Sequence, residues 1–428
     1  MEASTIALII MGAMLVLYIT ERIPIATTSI LACIALAVFG VIPITTAFAG
    51  FGNDIVFLIA GMVIVGNALF ETGVARVIGE KIMSLVGTNE KVFIVAIILV
   101  SVVISLFMNN SATASLMLPI AGAAIAASKG RLKKKNMFLM VGIAVCVGGG
   151  ITLVGSPPQL IAQAFLEEHG HETMGFFEIG YFGIPVLILL LVFYLTVGMK
   201  LQKKVFDFPE VEDDDKKAAS SGGDAVFEEP KSVVKMCISL GILIFCIVGF
   251  IVGLWTMGIV AMVGAVLCVV TGCISQKRVF EKMDWTTVII MACSFGFAAG
   301  LDQSGAGKMI ATGMIDVLGD NLNLWLLCSV LAFVSMILTN FMSSTAAASI
   351  LVPISAFAAM EAGFDVKAAV MITAVATNIG YATPVSTPPI TMTLVGGYRF
   401  MDYVKVGGLF NVLAFILIVA LIPLVFGV

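Results

Sequence analysis

The chain has 428 residues, of which 60% are hydrophobic and only 12% are charged, and its mean hydropathy is +1.12. Soluble domains carry about 25% charged residues, so this composition excludes an ordinary soluble protein and indicates an integral membrane protein. The net charge of −4 excludes little, because the charged residues are confined to loops. The N-terminus lacks the basic residues of a signal peptide, so we expect the first apolar run to be a mature span.

Several classes of function find no support in the sequence. The chain has no Gly-rich phosphate loop, no nucleophile motif and no basic patch typical of nucleic-acid binding. Its eight cysteines are scattered singly in or beside apolar runs, so we interpret them as packing residues, and His169 and His171 lie in a polar loop. We therefore expect neither an enzyme nor a nucleic-acid-binding protein.

Apolar runs follow one another along the whole chain, and most approach the ~20 residues needed to cross the hydrocarbon layer. In the first half they lie near 5–20, 24–42, 54–72, 91–108, 111–128, 137–155, 158–168 and 180–199. In the second half they lie near 233–255, 257–274, 285–303, 323–342, 345–360, 367–384, 389–396 and 404–427. The segment between the halves, residues 200–232, is rich in Asp, Lys, Ser and Gly, which predicts a flexible linker.

The second half repeats the first. Asn109-Asn110-Ser111 has its counterpart in Ser343-Ser344-Thr345, and Ser156-Pro157-Pro158 in Thr387-Pro388-Pro389, at nearly the same offset. Such duplication is the usual basis of secondary-transporter folds. If each half has three spans, a hairpin that returns to its own side and two further spans, it crosses the membrane an odd number of times. The two copies are then inverted, which predicts an all-α membrane protein of about ten spans and two re-entrant hairpins.

The basic residues predict the orientation of this arrangement. With linker 200–232 in the cytoplasm, 21 of the 23 Lys and Arg residues fall on the cytoplasmic side, and only Lys308 and Lys367 fall outside. This partition follows the positive-inside rule. We therefore expect a multi-pass protein of the cell (plasma or inner) membrane with both termini external.

Two polar clusters, which we call the tips, interrupt apolar sequence: Asn109–Ser111 and Ser343–Thr345. Backbone at membrane depth must be hydrogen-bonded or line a wet cavity. A helix that begins at Ser111 or Thr345 would direct its free N–H groups at an anion. Asn and Ser also cap ordinary helices, so a turn outside the membrane is the alternative on local chemistry alone.

Two proline pairs, Pro157-Pro158 and Pro388-Pro389, predict a break in the helix that follows each tip, and at the first pair Gly148-Gly149-Gly150 and Gly155 lie just upstream. Broken helices offer carbonyl groups to Na⁺ and helix N-termini to carboxylates, although a kink without function is the simpler interpretation. The pairing of two breaks with two tips favours a binding site. Because no Lys or Arg lies near these four features in the sequence, an anion there would need co-bound cations. This favours coupling to a cation such as Na⁺.

The tips and breaks give the chain its resemblance to a known family. Asn109-Asn110-Ser111, Ser343-Ser344-Thr345, Gly155-Ser156-Pro157-Pro158-Gln159 and Ser386-Thr387-Pro388-Pro389-Ile390 resemble the signature motifs of the divalent anion/sodium symporter family. That family carries di- and tricarboxylates or sulfate, and its motifs are a Ser-Asn-Thr tip and a Gly-Thr-Pro-Pro-Asn-like break in each half. This chain departs from the pattern at its second tip, which lacks the Asn, and at Gln159 and Ile390.

The resemblance implies specific residues. The first cation site would use Ser105, Asn109, Asn110 and Gly155, and the second Thr339, Met342, Ser344 and Ser386. The substrate would meet Asn110, Ser111, Ser156, Pro157, Ser344, Thr345, Thr387 and Pro388. It also implies scaffold parts at 1–90 and 233–320 and transport parts at 91–199 and 321–428. The hairpins would span 91–128 and 322–361, and the broken helices 137–168 and 367–396.

The function implied is Na⁺-coupled symport of a small dicarboxylate or tricarboxylate, by an elevator movement of the transport part in a homodimer. Four alternatives stay open: a dicarboxylate exchanger, a sulfate or oxyanion permease, the membrane subunit of a binding-protein-dependent uptake system, and an oxyanion efflux subunit driven by an ATPase. The expected partners are thus a small anion, the lipid bilayer and a second copy of the chain.

Overall fold

The computed structural model describes residues 2–74, 77, 90–128, 132–208, 232–319 and 322–427. Over these ranges all regular secondary structure is helical and no strand forms, which confirms the all-α class. In the first half the longer helices are α1 (Ala3–Thr20), α2 (Ile25–Val38), α3 (Asp54–Thr72), α4 (Glu90–Ser105), α5 (Asn110–Ala127), α6 (Lys134–Gly149), α7 (Pro157–Glu168) and α8 (Gly180–Phe193). A single helical turn, Ile44–Ala47, and a 3-10 turn, Ala49–Gly52, lie between α2 and α3. A π-helical turn, Tyr194–Gly198, continues α8 into Met199–Val205.

The second half contains α9 (Val233–Val252), α10 (Met257–Val270), α11 (Gln276–Lys282), α12 (Trp285–Gln303), α13 (Ala306–Leu318), α14 (Leu324–Thr339), α15 (Ser344–Ala362), α16 (Val366–Thr377), α17 (Pro388–Met392) and α18 (Phe400–Phe426). Helix α13 is an element that the apolar runs did not indicate. It is amphipathic, and its Lys308 forms an ion pair of 3.1 Å with Glu361 at the end of α15.

Within the described residues, seven helices are long and apolar enough to cross a membrane: α1, α3, α8 with its extension, α9, α12, α15 and α18. Large apolar side chains such as Val16 of α1, Ile251 of α9 and Leu424 of α18 are exposed on their outer faces. Continuous exposed apolar surface of this kind is stable in lipid and not in water. The structure therefore agrees with a protein that crosses the membrane many times.

Polar side chains in the loops define where several helices begin. Asn53 Oδ1 accepts from the Ile55 N–H at 2.8 Å at the start of α3, and Asn323 Oδ1 accepts from the Leu326 N–H at 2.8 Å at the start of α14. Such caps satisfy N–H groups that have no partner inside the helix. Helix α3 ends at Gly73, whose φ of 84° is the left-handed conformation that favours glycine.

The two broken helices lie at the centre of the molecule. Every residue of α6 from Asn136 to Gly149 is buried, and α16 is buried along nearly its whole length. Helix α6 packs on α4, and α16 packs on α14 and α15, so α6 and α16 each lie beside the helices that flank the tip of their own half. The polar breaks that follow α6 and α16 are therefore held between helices on all sides.

Candidate functional site

Each tip is a short turn between two helices. Helix α4 ends at Ser105 and α5 begins at Asn110, while α14 ends at Thr339 and α15 begins at Ser344. Helices α5 and α15 thus begin one residue earlier than expected, since we expected them to begin at Ser111 and Thr345. Asn109 Oδ1 accepts from the Ser111 N–H at 2.8 Å and so caps α5. At the second tip the Ser344 N–H donates to the Ser386 carbonyl at 3.2 Å, which joins that tip to its break.

The first break begins at the glycines that precede the proline pair. We expected Pro157 and Pro158, with Gly148–Gly150 upstream, to break the helix, and α6 ends at Gly149. The prolines instead occupy the first positions of α7, where their missing N–H groups cost nothing. In the second half, residues 378–387 separate α16 from α17, which also begins with its proline pair.

The residues that precede the proline pairs have the same backbone conformation in both halves. Ser156 has φ −147° and ψ 143°, and Thr387 has φ −146° and ψ 142°. Neither hydroxyl caps its own helix. Ser156 Oγ donates to Asn378 Oδ1 at 2.6 Å, and Thr387 Oγ1 lies 3.4 Å from Cys146 Sγ. Each break therefore contacts the other half near the end of its broken helix.

The predicted ligands of the first cation site lie together, in what we call the first cluster: Ser105, Asn109, Asn110 and Gly155. Ser105 Oγ lies 2.7 Å from Asn110 Oδ1 and 2.8 Å from the Val145 carbonyl. One hydroxyl proton cannot serve both acceptors fully. The opposite orientation of the Asn110 amide lets its NH₂ group donate to Ser105, which then donates to Val145, so that orientation satisfies all three groups.

Glycines allow α6 and the first break to approach this cluster. A Cβ on Gly148 would lie 2.7 Å from Val102 Cα, and one on Gly149 would lie 2.3 Å from Asn110 Oδ1. A Cβ on Gly155 would lie 2.5 Å from the Gly149 carbonyl oxygen. Side chains at these positions would force the break away from the tip, which explains why glycines are needed here.

An acidic residue that the sequence analysis missed lies at the first tip. Asp284 precedes α12, and its Oδ2 accepts from Asn109 Nδ2 at 3.2 Å and from Thr287 Oγ1 at 2.7 Å. Its Oδ1 accepts from the Thr287 N–H at 3.1 Å, so Asp284 also caps α12. A cavity of about 30 Å³ adjoins this contact and is lined by residues of α3, the first tip, the first break and α12, including Met62, Phe107, Asn109, Gly155, Pro157 and Thr287.

The predicted ligands of the second cation site, Thr339, Met342, Ser344 and Ser386, form the second cluster. Thr339 Oγ1 donates to the Thr377 carbonyl at 2.7 Å, just as Ser105 contacts the Val145 carbonyl in the first half. Ser386 Oγ donates to the Gly380 carbonyl, and its own carbonyl accepts from Ser344. Within the described residues, no backbone N–H donates to the carbonyl of Met342 or of Gly155.

Two asparagines support the second break. Asn340 Oδ1 accepts from the Ala382 N–H at 3.0 Å and from Asn411 Nδ2 at 3.1 Å. Asn411 Oδ1 accepts from the Tyr381 N–H at 3.1 Å. Asn411 is buried in α18, and the helix is apolar from Val406 onward apart from this residue, so a lone amide in an apolar run was the sequence signal that could have revealed it.

The predicted substrate residues lie around the two clusters. Helix α5 packs against α17, and α15 packs against α7, so the tip helix of each half contacts the short helix of the other. Ser111 is half-buried and Thr345 is buried, and neither hydroxyl has a hydrogen-bond partner within the described ranges. Pro157 is half-buried, whereas Pro388 is exposed.

The atoms that the two clusters offer to a cation are neutral oxygens. Over the part of the chain that the structure describes, no three His, Cys, Asp or Glu side chains gather where they could hold a metal ion. The clusters instead offer hydroxyl, amide and carbonyl oxygens, the ligands that unwound helices give to Na⁺ in transporters. Oxygen ligands of this type suit a hard cation and not a soft transition metal.

Comparison with known proteins identifies the family. A family model described as citrate transporter (CitMHS) matches residues 15–368. The chain belongs to this family. The match covers both tips and the first break. The family and its relatives are transporters and not enzymes, so the expectation of a multi-span membrane transporter is confirmed.

Curated relatives extend the similarity over nearly the whole chain. An uncharacterized transporter of Haemophilus influenzae is 27% identical over 429 residues, covering 94% of this chain and 88% of its own length. The sodium-dependent dicarboxylate transporter SdcS of Staphylococcus saprophyticus is 26% identical, covering 96% of this chain and 85% of its own. The sodium-dependent high-affinity dicarboxylate transporter 3 of Caenorhabditis elegans is 25% identical, with 92% and 78% coverage. The resemblance to the divalent anion/sodium symporters is thereby confirmed.

Two solved structures share the fold. The YdaH transporter of Alcanivorax borkumensis superposes with a TM-score of 0.57 at 16% identity, covering 89% of this chain and 86% of its own. MtrF of Neisseria gonorrhoeae superposes with a TM-score of 0.52 at 11% identity, with 99% and 94% coverage. At these identities the similarity establishes the membrane-transporter fold alone.

Proposed function

We propose that this chain imports small dicarboxylates or tricarboxylates in symport with Na⁺. The observation that carries the proposal is the pair of neutral oxygen clusters, one at each tip, joined through the Ser156–Asn378 contact. The names of the relatives in Staphylococcus saprophyticus and Caenorhabditis elegans, both sodium-dependent dicarboxylate transporters, support the choice of ion and substrate.

The first cluster would bind one Na⁺ through Ser105, Asn109, Asn110 and the Gly155 carbonyl. The second would bind another through Thr339, the Met342 carbonyl, Ser344 and the Ser386 carbonyl. Asn110 would contact both ion and substrate, because it stands at the start of α5 beside Ser105. A dicarboxylate held without Lys or Arg would then have its charge balanced by two cations and by helix N-termini.

The substrate carboxylates would meet hydroxyls and helix N-termini from both halves, at Ser111, Ser156, Thr345 and Thr387. The free hydroxyls of Ser111 and Thr345 support this assignment, because each can still donate a hydrogen bond. The proline pairs at 157–158 and 388–389 would contribute apolar contact with the carbon chain of the substrate.

The movement would be that of an elevator, in which 91–199 and 321–428 slide against scaffold parts 1–90 and 233–320 of a homodimer. With linker 200–232 in the cytoplasm, Asp284 stands at the cytoplasmic end of α12. Its hydrogen bond to Asn109 then brings the first tip close to the cytoplasmic end of the scaffold. We therefore assign this structure to an inward-facing arrangement in the plasma or inner membrane.

Uptake of labelled succinate into liposomes that contain the purified chain tests the proposal. An inward Na⁺ gradient should drive accumulation, and an equal gradient of K⁺ or choline should not. Asn110→Ala should abolish uptake, whereas Ser344→Ala should reduce it less, because a hydroxyl reaches less far than an amide. Uptake that ignores Na⁺ but requires internal dicarboxylate would make the chain an exchanger. A chain inactive alone but active with a soluble binding protein would be a subunit of a larger uptake system.

A further inference from the structure

Gln159 has a buried oxygen that the fold leaves without a partner. It is the third residue of α7, and its side chain is wholly buried. Its Nε2 donates to the Gly149 carbonyl at 3.2 Å, while its Oε1 has no hydrogen-bond partner within the described residues. Buried polar atoms are nearly always satisfied, so an orphan acceptor of this kind needs an explanation.

The orientation of this amide is fixed by chemistry. If the amide were reversed, Oε1 would face the Gly149 carbonyl oxygen, and two acceptors would lie against each other. The NH₂ group must therefore face Gly149. The unpartnered oxygen, bound to the same carbon atom, remains available to a cation or a hydrogen-bond donor.

The amide lies at the first cluster. The Gly149 carbonyl that it binds is the atom that a Cβ on Gly155 would approach to 2.5 Å, and a Cβ on Gly149 itself would lie 2.3 Å from the nearer end of the Asn110 amide. Gln159 thus hydrogen-bonds a residue that lies directly against Gly155 and Asn110 of the proposed cation site. An amide oxygen carries lone pairs and no proton, so it attracts a cation and repels an anionic substrate.

We propose that Gln159 Oε1 is a further oxygen ligand of the first coupling cation. This inference rests on the proposed function, and it gives a role to Gln159, the last residue of the first break motif, which is not among the site residues that the resemblance implies. The matching position in the second half is Ile390, which is buried and offers no side-chain oxygen. The two cation sites are therefore unequal, and only the first depends on a glutamine.

The test compares Gln159→Met with Gln202→Met in liposomes. Gln202 is also wholly buried with an unpartnered Oε1, but its Nε2 contacts Tyr194, outside both clusters, which makes it a matched control. Gln159→Met should raise the Na⁺ concentration for half-maximal uptake about tenfold, as expected for losing one polar contact to a charge. The KM for succinate at saturating Na⁺ should stay within about twofold, and Gln202→Met should leave both values unchanged.

A second variant guards against a folding defect. Gln159→Glu keeps an acceptor oxygen, and in its protonated form it also keeps a donor to the Gly149 carbonyl, so at mildly acidic pH it should retain the wild-type Na⁺ requirement or a lower one. An unchanged Na⁺ requirement in Gln159→Met, or equal impairment of Gln159→Met and Gln159→Glu, would overturn the inference and leave Na⁺ symport intact. Wild-type uptake that is independent of Na⁺ would instead overturn the proposed function, and the inference with it.

Discussion

Ser156 Oγ donates a hydrogen bond of 2.6 Å to Asn378 Oδ1, and both residues are buried. Ser156 precedes α7 in the first half, and Asn378 follows α16 in the second half. The two breaks are therefore held in register by one contact between side chains 222 positions apart. Asn378 Nδ2 donates to the Ala374 carbonyl at 3.0 Å, which fixes the amide so that its oxygen faces Ser156.

Ser156→Ala should destabilise the protein by about 1–3 kcal/mol, because it leaves the Asn378 oxygen buried without a donor. It should also raise the KM for the dicarboxylate, because Ser156 is a proposed substrate ligand. Ser156→Thr keeps the hydroxyl and serves as the control. Thermal unfolding in detergent and uptake in liposomes measure the two effects. Wild-type stability in Ser156→Ala would show that the contact does not join the breaks.

The sequence predicted the all-α class and the positions of the two tips and the two breaks, because the patterns that indicate them are strong. Apolar runs of near-spanning length and two duplicated motifs are local patterns, and the helices begin and end close to them. The proline pairs marked both breaks, although the three glycines before them determine where α6 ends. The inverted order of the halves and the division into scaffold and transport parts remain predictions.

The partners of the site could not be predicted, because they come from distant positions without a repeated signal. Asn378 matches Cys146 of the first half, just as Thr377 matches Val145, so the duplication gave no hint of an amide there. In the sequence, Asp284 resembles an ordinary helix cap. Only folding brings it into contact with Asn109, which is 175 residues away. The role of Gln159 depends on the orientation of an amide, which sequence does not specify.

Ser105 and Ser101 provide a matched pair of substitutions on one face of α4. Ser101 Oγ is buried and has no partner within the described ranges, and Ser335 in α14 shares this property one turn before Thr339. Ser105→Ala should raise the Na⁺ requirement about tenfold, since it removes a cation ligand that also contacts Asn110. Ser101→Ala should leave uptake unchanged and stability equal or up to about 1 kcal/mol higher. Equal effects of the two variants on the Na⁺ requirement would contradict the first cation site.

Single cysteines in a cysteine-free background test the topology. Position 220 lies in the linker, outside the described residues, and Glu172 lies in the loop between α7 and α8, with its side chain 82% exposed. An impermeant maleimide applied to intact cells should modify Glu172→Cys and spare Ser220→Cys, because the positive-inside rule places the linker in the cytoplasm. Labelling of Ser220→Cys but not of Glu172→Cys would show that the protein has the opposite orientation in the membrane.

A cysteine at Ser111 distinguishes a re-entrant hairpin from two full spans. A hairpin tip is reached only through the substrate cavity, so dicarboxylate together with Na⁺ should slow the labelling of Ser111→Cys. Labelling of a loop outside the membrane would be fast and indifferent to substrate. Fast labelling that substrate does not change would therefore remove the hairpin architecture on which the proposed transport depends.

Asp284→Asn should make the inward-facing arrangement less favourable. Asn keeps the cap of α12, so the helix should stay folded, but the charged acceptor for Asn109 is lost. If this contact favours the inward-facing arrangement, then Ser111→Cys should be labelled more slowly from the linker side in the Asp284→Asn background. Asp284→Ala, which also loses the cap, should lower stability by a further ~0.5–2 kcal/mol. An unchanged labelling rate in Asp284→Asn would show that the contact does not favour that arrangement.

The central claim is that Na⁺ and the dicarboxylate move together through one site, and simultaneous flux of both tests it most directly. Liposomes loaded with the purified chain are given labelled Na⁺ and labelled succinate, and the initial influx of each is measured with and without the other. The account predicts that succinate drives Na⁺ influx with at least two Na⁺ per dicarboxylate. Two Na⁺ balance the charge of the dicarboxylate, so each further Na⁺ moves one net positive charge inward. An inside-negative potential would then add ~2.3 kcal/mol of driving force for uptake per charge per 100 mV. Succinate influx with no accompanying Na⁺ influx would contradict it.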